Sequence, residues 1–306
     1  MIIYSLTSRG FYSEFMNLAI ASIYCDLTGN ELMVNTRAWV GKYDLGLQDY
    51  FEIPIKEVND FYSVEYDIFG LNRSIYIAAK KIKRMDFSGI YVVIKNFINF
   101  FYKKYSGNKL SSDIFFHMRS KEFIESVGND DVWQVLLSNK IKELHNVNKQ
   151  VRDYIEKQKE KISISNVDYI SVHIRRGDKI TTNEMENISI SRYVEEIKKR
   201  SYISKNVYVA TDDYSVIKEV EASLGDSYKV FHSVTSDRSG FSEKDNIESS
   251  SEEKRKEMLN LLLDVSILSE GQFFIGTYSS NLSRVIPCFK KLSECKSLDI
   301  EWTPVF

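Results

Sequence analysis

Cysteine is nearly missing from this 306-residue chain: Cys25, Cys288 and Cys295 are odd in number, scattered, and form no Cys-x-x-Cys pair. Neither a disulfide framework nor a zinc module fits that pattern, which points instead to reduced thiols and a cytoplasmic home. Proline is as scarce, with three residues, and glycine totals 13, so long regular elements are expected rather than extended loops. No apolar run reaches the roughly 18 residues of a membrane-crossing helix, and no basic leader precedes the short apolar start at 1–6. A large charge of either sign is also missing. The formal net charge of −2 supplies no field for nucleic acid, which is not expected as a partner.

What is present is apolar mass. Hydrophobic residues make up 43% of the chain and aromatics 13%, enough for a large core, and the length suits two domains of about 150 residues each. The first, placed at 1–160, opens with a buried-strand pattern at 2–6, a polar turn at 7–10 and a helical pattern over 13–27. Such a turn can cradle phosphate or base, although Arg9-Gly10 supplies a single glycine and an ordinary βα turn fits equally well. Residues 75–105 mix dense aromatic and aliphatic side chains with Lys80, Lys81, Lys83 and Arg84 on one flank and Lys103 and Lys104 on the other. Two readings compete there. One is a peripheral contact lying in a membrane interface; the other, favoured, is an amphipathic core helix whose lysines snorkel to water.

A charged helical stretch over 138–164 leads to the second domain, placed at 161–306. Strand patterns at 167–174, 207–210 and 228–231 alternate with helical ones at 191–203 and 215–224, the order of a parallel βαβαβ unit. A polar run at 233–251 has the composition of a mobile loop. A helix at 252–269, a strand at 273–275 and a last helix after Gly276 complete a Rossmann-like half.

The strand at 167–174 breaks abruptly into His173, Arg175, Arg176, Asp178 and Lys179. By the strand's period of two, Ile170, Val172 and Ile174 share one face, while Ser171, His173 and Arg175 share the other. Ligands of open α/β sheets sit beyond the carboxyl ends of the strands, so an imidazole and a guanidinium there suit a nucleoside diphosphate. Ser279 and Ser280 stand at a helix start behind Gly276, where they either hold phosphate oxygens or cap the helix. Asp212 and Asp213 end the strand at 207–210. Metal binding, orientation of a histidine or arginine, and helix capping are all open to them, and capping with orientation is favoured because no further ligand stands at metal spacing. Asp264 sits in a leucine-rich helix, either on its exposed face or buried to accept the two N–H groups of a guanine edge.

Together, over about 167–286, these pieces resemble the α1,6-fucosyltransferases of the core N-glycan and nodulation-factor type. That family's signature is His-x-Arg-Arg-x-Asp-Lys, Ala-Thr-Asp-Asp, a Leu-Asp helix and Thr-Phe-Ser-Ser-x-x-x-Arg. Here the pieces read His173-Ile-Arg175-Arg176-Gly177-Asp178-Lys179, Ala210-Thr211-Asp212-Asp213, Leu263-Asp264 and Thr277-Tyr278-Ser279-Ser280-Asn-Leu-Ser-Arg284. Gly177 replaces the usual threonine, giving the Arg-Arg-Gly-Asp version of the α1,2-fucosyltransferases, but the serine-rich ending is of the α1,6 kind.

The resemblance implies an α/β, GT-B-like fold of two Rossmann-like domains, with GDP-fucose in the cleft on the C-terminal domain and the N-terminal domain on the acceptor side. It implies inverting transfer to a glycan hydroxyl without metal or cofactor. Carried over by motif, Arg175 clamps the β-phosphate, His173 and Asp264 hold guanine, Ser280 contacts phosphate with Ser279 beside it in the GDP-fucose site, and Tyr193 lies on the nucleotide side. Asp212 and Asp213 match carboxylates needed for activity, and a faint similarity reaches Gly10. Glu184 is the candidate base, with Glu186 and Asp178 as alternatives and Lys179 beside them. An α1,2 enzyme, another GDP-sugar transferase and a noncatalytic GDP-sugar or glycan-binding module are the rival readings.

Overall fold

The computed structural model describes residues 1–58, 71–83, 88–177, 186–240 and 249–303. The chain divides into two compact units, the first Met1–Asn146 and the second Val147–Thr303. The second unit begins earlier than the sequence suggested. The charged stretch over 138–164 is two helices, with Asn148 capping the latter through a 3.0 Å bond from the Val151 amide. That helix packs with the second unit, where Tyr154 donates to Asn260 at 2.8 Å and Lys159 to Glu270 at 2.6 Å.

In the first unit, β1 (Ile2–Ser5), β2 (Leu32–Asn35), β3 (Lys56–Glu57) and β4 (Lys109–Leu110) form a parallel sheet in the order β3-β2-β1-β4. Helix α1 (Phe11–Thr28) follows β1 and buries 14 of its 18 residues, which accounts for an apolar sequence without a polar face. Buried Glu14 accepts the Thr7 amide at 2.9 Å and pairs with Arg9 at 2.5 Å, pinning the turn at 7–10. Gly10 itself has φ −51° and open space at its Cβ position, so the turn does not require glycine.

Helices α2 (Leu71–Ile82) and α3 (Ser88–Ser106) pack against each other. The favoured core-helix reading of this stretch fails: Ile94, Phe97, Ile98 and Phe101 are exposed. The unit is completed by α4 (Ser111–Ile114), α5 (Lys121–Val127) and α6 (Asp130–Leu144); α7 (Lys149–Lys161) is the helix capped by Asn148.

The second unit runs β5 (Ile170–Ile174), α8 (Ile190–Lys199), β6 (Asn206–Thr211), α9 (Tyr214–Leu224), β7 (Lys229–Phe231), α10 (Ser251–Glu270), β8 (Phe273–Gly276), α11 (Asn281–Val285) and β9 (Cys295–Ser297). All five strands are parallel, in the order β7-β6-β5-β8-β9. The alternation along β5 holds. Ile170, Val172 and Ile174 join the layer filled by Ile190, Tyr193, Val194 and Ile197 of α8 and Val216, Ile217 and Val220 of α9. Those helical residues recur at spacings of three and four, leaving Glu195, Lys198 and Lys199 for water.

Ser171 faces the opposite layer, donating to the Leu268 carbonyl of α10 at 2.8 Å. A Cβ on Gly271 would sit 2.7 Å from that serine oxygen, so only glycine lets α10 turn into β8 this close to the sheet. The chain runs outward from β5 to β6 and β7, then returns to place β8 on the other side of β5. The strand order therefore reverses between β5 and β8, the point at which such sheets open a crevice at their carboxyl ends.

Candidate functional site

Both motifs singled out in the sequence meet at this reversal. His173 near the end of β5 is buried, and its Nδ1 lies 2.6 Å from Ser283 Oγ of α11, which joins the end of β5 to the segment after β8. Burial, with a smaller contribution from the Arg175 charge, pushes the His173 pKa down to about 3, so the ring is neutral. Arg175 follows the end of β5, and its Nη1 lies 3.2 Å from Asp212 Oδ2.

The two carboxylates at the end of β6 divide their work. Asp212 is buried; besides pairing with Arg175 it accepts the Arg176 backbone amide at 2.7 Å, so it sets the path of the chain past β5. Asp213 caps α9, taking the Ser215 amide at 2.9 Å and its hydroxyl at 2.7 Å. Orientation and capping, the favoured sequence reading, describe this pair. The described residues contain no group of three or more potential metal ligands.

The first part of the polar run at 233–251 is stitched to the same edge. Gly240 donates to the Asp212 carbonyl at 2.9 Å, Tyr214 to the Arg238 carbonyl at 3.0 Å, and Arg238 holds Glu257 with two bonds of 2.5 and 2.7 Å. The loop passes so near Gly177 that a Cβ on Gly240 would sit 3.0 Å from its Cα. Gly177 and Gly240 have φ of 70° and 110°, values that favour glycine. Glycine at position 177 is thus matched by a backbone laid against it.

Asp264 of α10 is partly buried rather than on an exposed face. Tyr208 of β6 and Ser233 after β7 both donate to its Oδ1, at 2.6 and 2.8 Å. Burial raises its pKa to about 6, partly offset by those two bonds and by the Arg238 charge. A carboxylate kept this costly in a close-packed place has value where a ligand supplies further donors.

After β8, the phosphate reading of the serines divides. Asp299 already occupies the Ser279 position: its carboxylate takes the Tyr278 amide at 2.7 Å, the Ser279 amide at 3.0 Å and the Ser279 hydroxyl at 2.5 Å. Ser297 and the Ile300 amide donate to it as well, at 2.7 and 2.8 Å. Burial pushes the Asp299 carboxyl up, but these bonds outweigh it and hold the pKa below the usual value. Ser279 is consumed in fixing the turn, whereas Ser280 stands at the start of α11 with no side-chain cap bond. Tyr193 is a buried residue of the core layer in which α8 packs against β5.

His173, Arg175, Asp212 and the turn at 277–280 are therefore brought to one sheet edge. Asp178, Lys179 and Glu184 lie outside the described residues, and Glu186 is exposed. Gly10 belongs to the other unit. Sequence reasoning missed Asp299, Tyr208, Ser233 and Ser283. Only Ser283 carried a signal, three residues beyond Ser280 and so on the same helical face.

A model of the alpha-(1,6)-fucosyltransferase N- and catalytic domains matches residues 118–289, more than half of the chain. Among solved structures, fucosyltransferase NodZ from Bradyrhizobium is similar at 17% identity and a TM-score of 0.55, covering 93% of this chain and 91% of that one. NodZ alpha-1,6-fucosyltransferase soaked with GDP-fucose gives 16% and 0.53, with 94% and 92% covered. POFUT1 in complex with GDP-fucose gives 10% and 0.54, with 94% and 93% covered. At these identities the likeness to the solved structures is one of fold, and it agrees with an α/β, GT-B-like chain carrying two parallel sheets.

Proposed function

The chain belongs to the alpha-(1,6)-fucosyltransferase family and is a glycosyltransferase; from that premise we propose that it moves fucose from GDP-fucose to a glycan hydroxyl, with inversion, without a metal, and with an α1,6-like linkage. The observation that carries the donor assignment is the meeting of His173, Arg175 and the 277–280 turn at the strand-order reversal.

In this reading Arg175 and Ser280 take the diphosphate. As the bond to the sugar breaks, negative charge grows on the leaving GDP, and a donor already held in place stabilises it without reorganising. Asp212 supplies that preorganisation by holding both the guanidinium and the next amide. His173 and Asp264 take the guanine. Ser283 Oγ lies 2.6 Å from His173 Nδ1, and in this reading the serine hydroxyl donates to that nitrogen. The imidazole proton then sits on Nε2, suited to donate to an acceptor edge of the base, while the Asp264 carboxylate accepts from the N–H edge.

The acceptor hydroxyl must lose a proton as it attacks the anomeric carbon. Glu184 is assigned that role, Asp178 and Glu186 being the alternatives and Lys179 the neighbouring cation. A base so placed contributes about 10²–10⁴-fold. Gly177 supports the α1,2 alternative for the linkage, and the serine-rich ending supports α1,6.

A panel of GDP-sugars with oligosaccharide acceptors, read by mass spectrometry and linkage analysis, tests the whole proposal. Transfer from GDP-fucose with an α1,6 product is expected. Transfer from a different GDP-sugar would overturn the donor, an α1,2 product the linkage, and tight GDP binding with no turnover of any acceptor the enzymatic reading.

A further inference from the structure

Ten of the nineteen exposed large hydrophobic residues among the described residues fall between 75 and 105, in α2 and α3. On α3 they are ordered. At 100° per residue, Ile90, Ile94, Phe97, Ile98, Phe101 and Tyr105 lie within an arc of about 100°. Each of these six is between 43% and 82% exposed. A stripe of this width on a helix of a globular protein ordinarily faces the core. Here it faces out.

The charge beside it is equally one-sided. Residues 71–106 hold eight lysines and arginines against a single aspartate, in a chain whose net charge is −2. Lys80, Lys83 and Lys104 are exposed. Among the described residues no helix is long and apolar enough to cross a membrane. An apolar stripe beside basic side chains is the pattern of a helix that lies in a bilayer interface.

We propose that α2 and α3 form a docking surface for an anionic lipid bilayer, with the apolar stripe of α3 sunk among the acyl chains near the headgroups and the lysines on acidic headgroups. Charge decides between this occupant and a second copy of the chain. A two-fold dimer through this face would set each basic hairpin against an identical one, which repels, whereas an anionic surface complements it. The proposal is independent of the reaction assigned to the second unit.

Co-sedimentation of the full chain with phosphatidylcholine vesicles, with and without phosphatidylglycerol, tests it. The protein is expected to bind the phosphatidylglycerol vesicles, to bind neutral ones far less, and to be released by high salt. Replacing Lys80, Lys81 and Lys83 by Glu lowers binding by at least about fivefold per position. A Phe97→Ser, Ile98→Ser, Phe101→Ser variant loses binding with all lysines retained. Lys80, Lys83, Phe97, Ile98 and Phe101 are exposed and Lys81 is half-buried, and unchanged thermal unfolding verifies that both variants fold. Failure to bind phosphatidylglycerol vesicles, equal binding to neutral ones, or a wild-type dimer that the serine variant turns into a monomer would each overturn the proposal.

Discussion

Asp264→Asn should make the protein more stable and a worse nucleotide binder at once. The carboxyl's pKa is raised from 3.8 to about 6 by burial, so the folded state holds this proton more tightly than the unfolded chain does. Below pH 3.8 both states are protonated and the group costs nothing. Its cost grows as pH rises through the interval and is complete above pH 6. A rise of this size corresponds to about 3 kcal/mol, an upper figure for what the substitution recovers. In a domain of this size that is about 6–12 °C in unfolding midpoint. Asparagine keeps an oxygen for the Tyr208 and Ser233 hydroxyls, so their bonds survive. The gap between variant and wild type at pH 4 should be about a fifth of its full value at pH 8, and taking the difference cancels every other titrating group. In the same variant GDP affinity should fall about ten- to hundredfold, the worth of a hydrogen bond to a charged group. Calorimetric scans at both pH values with GDP titrations at pH 8 are the assay. A gap independent of pH, or a variant less stable at pH 8, would refute the reasoning.

Arg175→Ala should weaken GDP about ten- to hundredfold and leave GMP nearly unchanged, since the guanidinium is assigned to the β-phosphate; equal losses for both nucleotides would remove it from that role. Asp299→Ala releases the Tyr278 and Ser279 amides and should lower kcat/KM with Ser280 intact, Asp299→Asn falling between; steady-state kinetics on the pair checks this. Gly240→Val drives a Cβ to 3.0 Å from the Gly177 Cα at φ 110° and should cost about 1–3 kcal/mol in urea unfolding. His145 and His173 are held neutral by burial, with pKa values near 4 and 3. The unfolded chain takes up their protons first, so their contribution to stability should be full well above pH 6.5 and fall as pH drops below it, by more than Asp264 regains on protonation; a urea midpoint unchanged between pH 7 and pH 5 would contradict this.

The alternation along 170–174 was legible because a period of two is local, and the capping and orienting work of Asp213 and Asp212 followed from their position at a strand end. Asp299 was illegible: it lies 20 residues beyond the Ser279 amide it holds and reaches it only because β9 packs beside β8. The Tyr208, Ser233 and Asp264 cluster needs two strands and a helix to meet, which no spacing reveals. Residues 75–105 mark a different limit. Periodicity identifies the apolar face of a helix, but whether protein covers that face depends on chain far away. The break between α6 and α7 was hidden because Asn148 sits inside a charged run that reads as one helix.

The central claim is that a guanosine diphosphate is held where the strand order reverses in the second unit. A crystal structure of the protein with GDP measures this directly. The account predicts the diphosphate against Arg175 and Ser280, and the base against His173 and Asp264. Nucleotide bound elsewhere, or no nucleotide at saturating GDP, would contradict it.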